Sequence, residues 1–117
     1  MSIDAIRQTA YAIHVYLGHG HLEKIYENAL AHRLRKQGIN VNQQMPLRVF
    51  DEDGTIIGEY FSDICVDGNI LLELKCATTL GPEHTAQLLG YLKATGFTHG
   101  VLINFGSYRF QIRKFAL

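Results

Sequence analysis

The sequence is poor in cysteine and proline. Two cysteines among 117 residues are fewer than a small secreted domain uses for a disulfide framework, so we expect Cys65 and Cys76 to be reduced thiols in the core. Two prolines and no low-complexity stretch leave no sign of a linker. The whole chain, 1–117, is therefore expected to form one domain, a size that one hydrophobic core covers.

Long apolar runs are also missing. No apolar segment approaches the roughly 20 residues that cross a bilayer, and residues 1–20 lack a basic head followed by an apolar block. We therefore expect a cytoplasmic protein with no membrane partner. Hydrophobic residues make up 47% of the chain and charged residues 19%, a balance typical of a globular protein rather than a disordered one.

The sequence also lacks an excess of charge of either sign, and its formal net charge is zero. Proteins that coat nucleic acid without sequence preference normally carry a basic excess, so this class is disfavoured. A nuclease stays compatible with the composition. A bound metal ion would supply positive charge at the point where the phosphate lies.

Two helices are predicted in the first third of the chain. Apolar residues recur every three or four positions over 3–17, with Ser2 available as the N-cap. The segment 18–20, which contains two glycines, interrupts this pattern. A second helix is expected over 22–36, with Gly38 as its stop. Its predicted apolar side consists of Leu22, Ile25, Tyr26, Ala29, Leu30 and Leu34.

The remaining segments predict five strands and one helix. Pro82 suits the first turn of a helix that ends before Gly96, and Gly58 indicates a distortion within a strand. The strands are expected at 41–50, 55–66, 70–76, 97–104 and 108–115, with turns at 53–54 and 67–69. The order α-α-β-β-β-α-β-β predicts an α/β fold of the α+β kind, with a mixed sheet flanked by helices.

Two charges interrupt the apolar strand LLELKCA, which contains Glu73 and Lys75. Burying them costs several kcal/mol per ion unless they are paired or bind a ligand. Strand side chains alternate between faces, so Glu73 and Lys75 point to the same side. Leu72, Leu74 and Cys76 then point to the other side. This pair of charges is the feature that a functional hypothesis has to explain.

Asp63 lies on the same side as Glu73 in only one register of the hairpin. A three-residue turn pairs Val66 with Ile70 and brings Asp63 opposite Glu73, with Asn69 in the left-handed conformation. A two-residue turn shifts the register by one, and Asp63 then faces away. The functional hypothesis requires the longer turn.

In that register, Asp63 and Glu73 have Cβ atoms roughly 4.5–5.5 Å apart and repel each other unless a cation lies between them. Their oxygen ligands suit Mg²⁺ or Mn²⁺. Lys75 alongside would hold a phosphate or favour a metal-bound hydroxide. The spacing alone is equally compatible with a structural ion-pair cluster, in which Lys75 neutralises one of the acids.

Three histidines offer a second candidate for a metal site. His14, His19 and His21 lie near the break between the first two helices. No cysteine or acid accompanies them at zinc spacing, so this alternative is less favoured.

From Leu17 onward, the sequence resembles the bacterial family named GxxExxY, a branch of the PD-(D/E)xK nuclease superfamily. Five segments carry the resemblance in order: Gly20-His-Leu-Glu23-Lys-Ile-Tyr26, Phe61-Ser-Asp63, Glu73-Leu-Lys75, Gln87-Leu-Leu-Gly-Tyr91 and Leu102-Ile-Asn-Phe-Gly106. The chain departs from the superfamily pattern at Ser62, where a proline often precedes the aspartate, and at Leu71, two residues before Glu73. The resemblance implies a restriction-endonuclease-like core.

The resemblance also implies a role for each matched acid and for the lysine. Asp63 and Glu73 would ligate Mg²⁺ or Mn²⁺, and Glu23 would reach the metal from its helix, directly or through water. Lys75 would position or activate the attacking water. On the residues alone, Glu23 is also explained as an acid that complements a helix dipole.

A second set of roles falls on the third predicted helix. By the resemblance, Gln87 and Tyr91 would contact the phosphate or brace Lys75. They are four residues apart and therefore share a helix face, and His84 shares that face and would touch substrate. Ordinary helix packing is the alternative for Gln87 and Tyr91.

These observations lead to one function and two rivals. The leading hypothesis is divalent-metal-dependent hydrolysis of DNA or RNA phosphodiesters. The first rival is a module that keeps the fold and binds nucleic acid or protein without cleaving. The second is a homodimeric interaction protein in which the acids form an ion-pair network. Finding Asp63 and Glu73 on opposite faces would favour the second rival.

Overall fold

A computed structural model describes residues 3–117, so the predicted N-cap Ser2 lies outside the described residues. Three helices and five strands follow one another in the predicted order. They are α1 (Ile3–Leu17), α2 (Glu23–Lys36), β1 (Val41–Phe50), β2 (Ile56–Val66), β3 (Ile70–Lys75), α3 (Pro82–Thr95), β4 (His99–Asn104) and β5 (Gln111–Ala116). None of the helices described is long and apolar enough to cross a membrane.

The strands form one mixed sheet in the order β1-β2-β3-β4-β5. All neighbours are antiparallel except β3 and β4, which run parallel and are joined through α3. A parallel pair requires such a crossover connection, whereas the antiparallel pairs are joined by short turns. Strand β3 is central, and its carboxyl end lies beside that of β4. The predicted mixed sheet and its flanking helices are confirmed.

Each face of the sheet carries its own hydrophobic core because strand side chains alternate between faces. On one face, α1 and α2 cover Ile64, Leu72, Leu74, Val101 and Phe105. On the other face, α3 covers Leu47, Cys65, Leu71 and Leu102. The Tyr26 ring of α2 stacks on Phe105, with centroids 4.6 Å apart and ring planes 7° apart. The result is a helix–sheet–helix sandwich.

The sequence signals for helix ends and strand irregularities are confirmed. Gly38 and Gly96 both have φ +80° after their helices, where glycine avoids the steric penalty of a side chain. Pro82 is the first residue of α3. The β1–β2 register shifts where Val49 pairs with Gly58 and the next pair skips Ile57, next to the predicted distortion.

Several local predictions are wrong. Leu22, which precedes α2, and Ile25 are exposed, whereas Glu27, which is not part of the predicted apolar side, is buried. Both cysteines are free thiols, but Cys76 is exposed rather than part of the core, because β3 ends one residue earlier. Three strands begin later than predicted: β2, β4 and β5 begin at Ile56, His99 and Gln111 rather than at 55, 97 and 108.

The chain leaving β3 is fixed by the turn that follows β4. The buried Asn104 side chain accepts the amide of Ala77 at 3.0 Å and donates to the carbonyl of Ala77 at 3.0 Å. Gly106 lies against the same segment: a Cβ there would be 2.3 Å from the carbonyl carbon of Cys76. These contacts hold in place the residues that directly follow Lys75.

We expect Gly106→Ala to destabilise the fold by about 3 kcal/mol or more, because the backbone of 76–77 cannot yield without breaking the Asn104 bonds. The matched control is Gly90→Ala on α3, where a Cβ meets nothing within 4 Å. That change should be neutral or stabilise by up to about 1 kcal/mol. Urea denaturation of both variants measures the difference, and equal midpoints would contradict the prediction.

Candidate active site

The hairpin of β2 and β3 has the register that the functional hypothesis requires. Val66 pairs with Ile70, and Ile64 pairs with Leu72, so the three-residue turn is confirmed. The turn conformation differs from the prediction, because Asp67 and Gly68, rather than Asn69, have positive φ. One step beyond the last pair, Asp63 lies across from Glu73. Both are on the α3 face, as their neighbours Cys65 and Leu71 show.

Asp63 lies where strand pairing is interrupted on both sides of β2. The β1–β2 register passes from Gln43↔Ile64 to Met45↔Ser62 without a pair at Gln44, which has φ 52°. The β2–β3 register ends before Asp63 as well. The Asp63 side chain replaces a backbone partner here, since its Oδ2 accepts a hydrogen bond from the backbone N–H of Leu74 at 2.8 Å. The carboxylate is thereby oriented by the backbone of β3.

Glu73 is the most perturbed acid of the site. It is only 6% exposed, and its Oε1 atom is buried without a hydrogen-bond partner among residues 3–117. Burial and, to a smaller extent, the nearby Asp63 raise the pKa of Glu73 to about 8, against the lowering effect of Lys75. Burial also raises the pKa of Asp63, against the lowering effect of the Leu74 amide. The two acids therefore share a site that disfavours two negative charges.

Lys75 and two residues of α3 complete the same side. The Lys75 ammonium donates to Gln87 Oε1 at 2.9 Å, and it remains partly accessible to solvent. One helical turn further, the Tyr91 ring packs on Tyr60 with centroids 4.1 Å apart. Burial raises the pKa of Tyr91, and Glu73 adds to the rise. Helix α3 thus brings an amide to the lysine and a phenol to the acids.

Glu23 begins α2 and approaches the acids from the other side of the sheet's end. Glu23 is exposed, yet partial burial of its carboxyl raises its pKa. Asp63 raises this pKa further, and Lys75 lowers it. The structure therefore brings Glu23, Asp63, Glu73 and Lys75 into one electrostatic neighbourhood.

Glu27 and Gln44 are residues of the site that the sequence reading missed. Glu27 is 3% exposed and accepts hydrogen bonds from Lys24 at 3.0 Å, Gln43 at 2.7 Å and Gln44 at 2.8 Å. The Gln44 amide also approaches Asp63 Oδ1 at 3.4 Å. Glu27 lies one turn after Glu23 on the same helix face, which was the available signal. Its burial depends on contacts with β1.

His84 has a different environment from the rest of the predicted site. Its Nδ1 accepts the amide of Gly81 at 3.0 Å and lies 3.7 Å from the Glu83 carboxylate. It therefore helps to begin α3, and only its Nε2–H remains for a substrate. The three histidines also separate: His14 bonds to the Ser107 carbonyl at 2.9 Å, whereas His21 packs against Tyr26.

The acids fit a hard divalent cation. Glu73 has a buried oxygen without a partner, Asp63 is oriented beside it, and carboxylate oxygens are the ligands that Mg²⁺ and Mn²⁺ prefer. Within 3–117, no group of three or more His, Cys, Asp and Glu side chains is arranged to enclose a metal ion. Mg²⁺ usually keeps several waters and binds through one or two carboxylates plus substrate phosphate. The Asp63–Glu73 pair satisfies that smaller requirement.

Comparison with known proteins gives a family and a fold. A family model described as the PD-(D/E)XK nuclease superfamily matches residues 2–115. Among solved structures, the crystal structure of SSO0001 superposes with a TM-score of 0.63 at 19% sequence identity. The match covers 80% of this chain and 50% of that one, so the chain spans about half the length of that relative. No curated protein matches significantly.

Proposed function

Because this chain belongs to the PD-(D/E)XK nuclease superfamily, we propose that it hydrolyses phosphodiester bonds of nucleic acid with the aid of Mg²⁺ or Mn²⁺. The observation that carries the proposal is the convergence of Asp63, Glu73 and Lys75 on one side of the sheet. Members of this superfamily generally use divalent metals, and its name implies nucleic acid as the substrate.

Each residue has a chemical task in this proposal. Asp63 and Glu73 hold the metal ion, with Glu23 reaching it through water or directly. The bound ion would neutralise charge on the phosphate and lower the pKa of a coordinated water. The Lys75 ammonium, oriented by Gln87, stabilises the negative charge that develops on the phosphate oxygens. Hydrolysis forms a bond from the water oxygen to phosphorus and breaks one phosphorus–oxygen ester bond.

The remaining predicted contacts belong to the substrate. In the proposal, Gln87 and Tyr91 line the approach of the phosphate, and His84 offers Nε2–H at the start of α3. We also propose the finer assignment to the GxxExxY family, supported by the segment from Gly20 to Tyr26, and a cytoplasmic location. A homodimer stays a prediction, which sedimentation velocity would check.

The structural rival loses its main support in this geometry. Asp63 and Glu73 on opposite faces would have favoured it, whereas both face α3. The hydrogen-bond partner of Lys75 is the neutral Gln87 rather than an acid. The only salt bridges among the described residues are Lys24–Glu27 and His84–Glu83, so an ion pair between Lys75 and either acid does not hold this side together.

The proposal predicts that metal binding and cleavage depend together on Asp63. Purified protein should bind Mn²⁺ by calorimetry and cut labelled single- or double-stranded DNA or RNA in its presence. Asp63→Asn should lose about 10-fold or more in Mn²⁺ affinity and most of the cleavage, because a neutral amide is a weaker ligand. The matched control is Glu59→Gln, an exposed acid on β2. A wild type that neither binds Mn²⁺ nor cuts any of these substrates would refute the proposal.

A further inference from the structure

A groove lies between α1 and the turn that joins β4 to β5. The volume of the groove is about 570 Å³. The aromatic and charged side chains that line it are Tyr11, His14, His19, Tyr108, Arg109 and Phe110. We call it the aromatic groove. The site of Asp63, Glu73 and Lys75 does not use these side chains. His14 is buried and Phe110 packs against the core, but neither the core nor the proposed chemistry explains the exposed rings of Tyr11 and Tyr108.

Two tyrosine rings of the aromatic groove are unusually exposed. Tyr108 is 85% exposed and Tyr11 is 56% exposed. Each is braced by a neighbouring ring: Tyr108 by His19 at 6.3 Å between centroids, and Tyr11 by Phe110 at 5.7 Å, both in edge-to-face geometry. Aromatic surface of this extent in a concave site is typical of ligand binding.

The floor of the aromatic groove is held rigidly. The His14 ring bonds to the Ser107 carbonyl at 2.9 Å and lies 5.7 Å from the Phe110 ring. These contacts fasten the turn to α1, so the groove exists before a ligand arrives. Binding then costs less ordering of side chains than a mobile site would.

The charge of the aromatic groove suits a phosphate chain. Arg109 supplies a permanent positive charge, and the described residues that line the groove include no aspartate or glutamate. The whole chain, however, has zero net charge. Non-specific electrostatic attraction to nucleic acid is therefore weak, and affinity has to come mainly from contacts with the bases.

Local contacts connect the turn at the aromatic groove with the segment that follows the proposed catalytic site. Cys76 directly follows Lys75, and Gly106 lies against the Cys76 backbone. The Asn104 amide donates to both the Ala77 carbonyl and Ser107 Oγ, at 3.0 and 3.3 Å. The turn that carries Tyr108 is thus tied to the segment that leaves the site. The site and this turn therefore lie at the same end of the sheet, where β3 and β4 end.

We propose that the aromatic groove binds unpaired bases of single-stranded nucleic acid next to the scissile phosphate. Bases stack on Tyr108 and Tyr11, and Arg109 contacts the backbone. Stacking on tyrosine requires a free base face, which a duplex does not offer, and it tolerates any sequence. This inference rests on the proposed function and adds the substrate class: a single strand, or a single-stranded end.

The test is binding of an oligothymidylate of about 12 nucleotides, a length that covers one such site, measured by fluorescence anisotropy in EDTA. Without metal, cleavage does not interfere. Tyr108→Ala and Tyr11→Ala should each weaken binding about 5-fold or more, and Tyr108→Trp should retain it. An abasic oligonucleotide and a duplex should bind weakly to the wild type, and the ribose counterpart should bind like the deoxyribose one. The salt dependence should be shallow.

The matched control is Tyr16→Ala. Tyr16 is 78% exposed on the same helix α1 but lines a different surface, with Arg33 near its ring. Equal binding by wild type, Tyr108→Ala and Tyr11→Ala would overturn the inference, as would an equal loss in Tyr16→Ala. Failure of the wild type to bind the oligothymidylate would also overturn it.

A second arm separates this inference from the proposed function. The nitrophenyl ester of thymidine monophosphate has a cleavable phosphodiester but no polynucleotide to enter the groove. Tyr108→Ala should hydrolyse it with Mn²⁺ at the wild-type rate while losing activity on the oligothymidylate. If the wild type cleaves neither substrate but still binds the oligothymidylate through Tyr108, the proposed function fails and the groove stands. Loss on both substrates in Tyr108→Ala would contradict a separate groove.

Discussion

Lys75→Met is expected to lower kcat for phosphodiester cleavage by about 10³-fold, because it removes the only ammonium beside the two acids in the described part of the chain. Donors aimed at the charge that develops in a transition state are typically worth 10²–10³-fold in rate. Affinity for Mn²⁺ should be unchanged or higher, since a neighbouring positive charge has been removed. Steady-state kinetics and calorimetry on the same preparation measure both quantities.

The conservative and matched variants make this prediction specific. Lys75→Arg keeps the positive charge but spreads it over a planar guanidinium group, so kcat of this variant should be roughly 10-fold lower than that of the wild type. Gln87→Ala removes the 2.9 Å acceptor of the ammonium and should lower kcat by about 10-fold with little change in KM. Lys93→Met, an exposed lysine on α3, is the control and should match the wild type. Wild-type rates in Lys75→Met would remove the lysine from the mechanism.

Glu73→Gln is expected to stabilise the metal-free protein at alkaline pH and to abolish metal binding. The folded-state pKa of Glu73 is raised to about 8 from 4.5. An acid whose pKa is higher in the folded than in the unfolded state stabilises the fold. This contribution is complete below the pKa of the unfolded state and is lost as the pH rises through the pKa of the folded state. The metal-free wild type should therefore become less stable between about pH 5 and 9, with a fall in Tm on the order of 10 °C. Glu73→Gln should show a much smaller fall.

Bound metal should reverse the dependence of stability on pH, because a carboxylate must lose its proton to bind a cation. The Mn²⁺ affinity of the wild type should rise up to about 10-fold per pH unit until about pH 8, where Glu73 is ionised. Saturating Mn²⁺ should then raise Tm more at pH 8 than at pH 6. Calorimetric scans of wild type, Glu73→Gln and Glu59→Gln at both values measure this. The same pH slope in Glu73→Gln and wild type would show that another group carries it.

Much of the fold was predictable because its signals are local. Helix ends at Gly38 and Gly96 and the helix start at Pro82 depend on backbone conformation that single residues dictate. The alternation of side chains predicted that Glu73 and Lys75 share a face, whereas the position of Asp63 was open between two turn lengths, of which the structure has the longer. These features need no knowledge of the rest of the chain.

The errors on α2 arise because contacts with distant segments determine which of its side chains are buried. Periodicity predicts an apolar face for α2 but not how far the sheet extends beneath it, so Leu22 and Ile25 were wrongly expected to be buried. Glu27 is buried because Gln43 and Gln44 of β1 satisfy its oxygens, and nothing near Glu27 in sequence signals those partners.

The bond between Asp63 and the Leu74 amide has a consequence for how the site works. A carboxylate has about four lone-pair positions, and folding orients this one through the Leu74 amide at Oδ2 and, at a longer distance, the Gln44 amide at Oδ1. The remaining positions are preorganised, since the rotational freedom of Asp63 is lost when β2 and β3 pair rather than when an ion arrives. Discrimination between cations of different radius can then reside in the backbone, which sets how closely Asp63 and Glu73 approach each other.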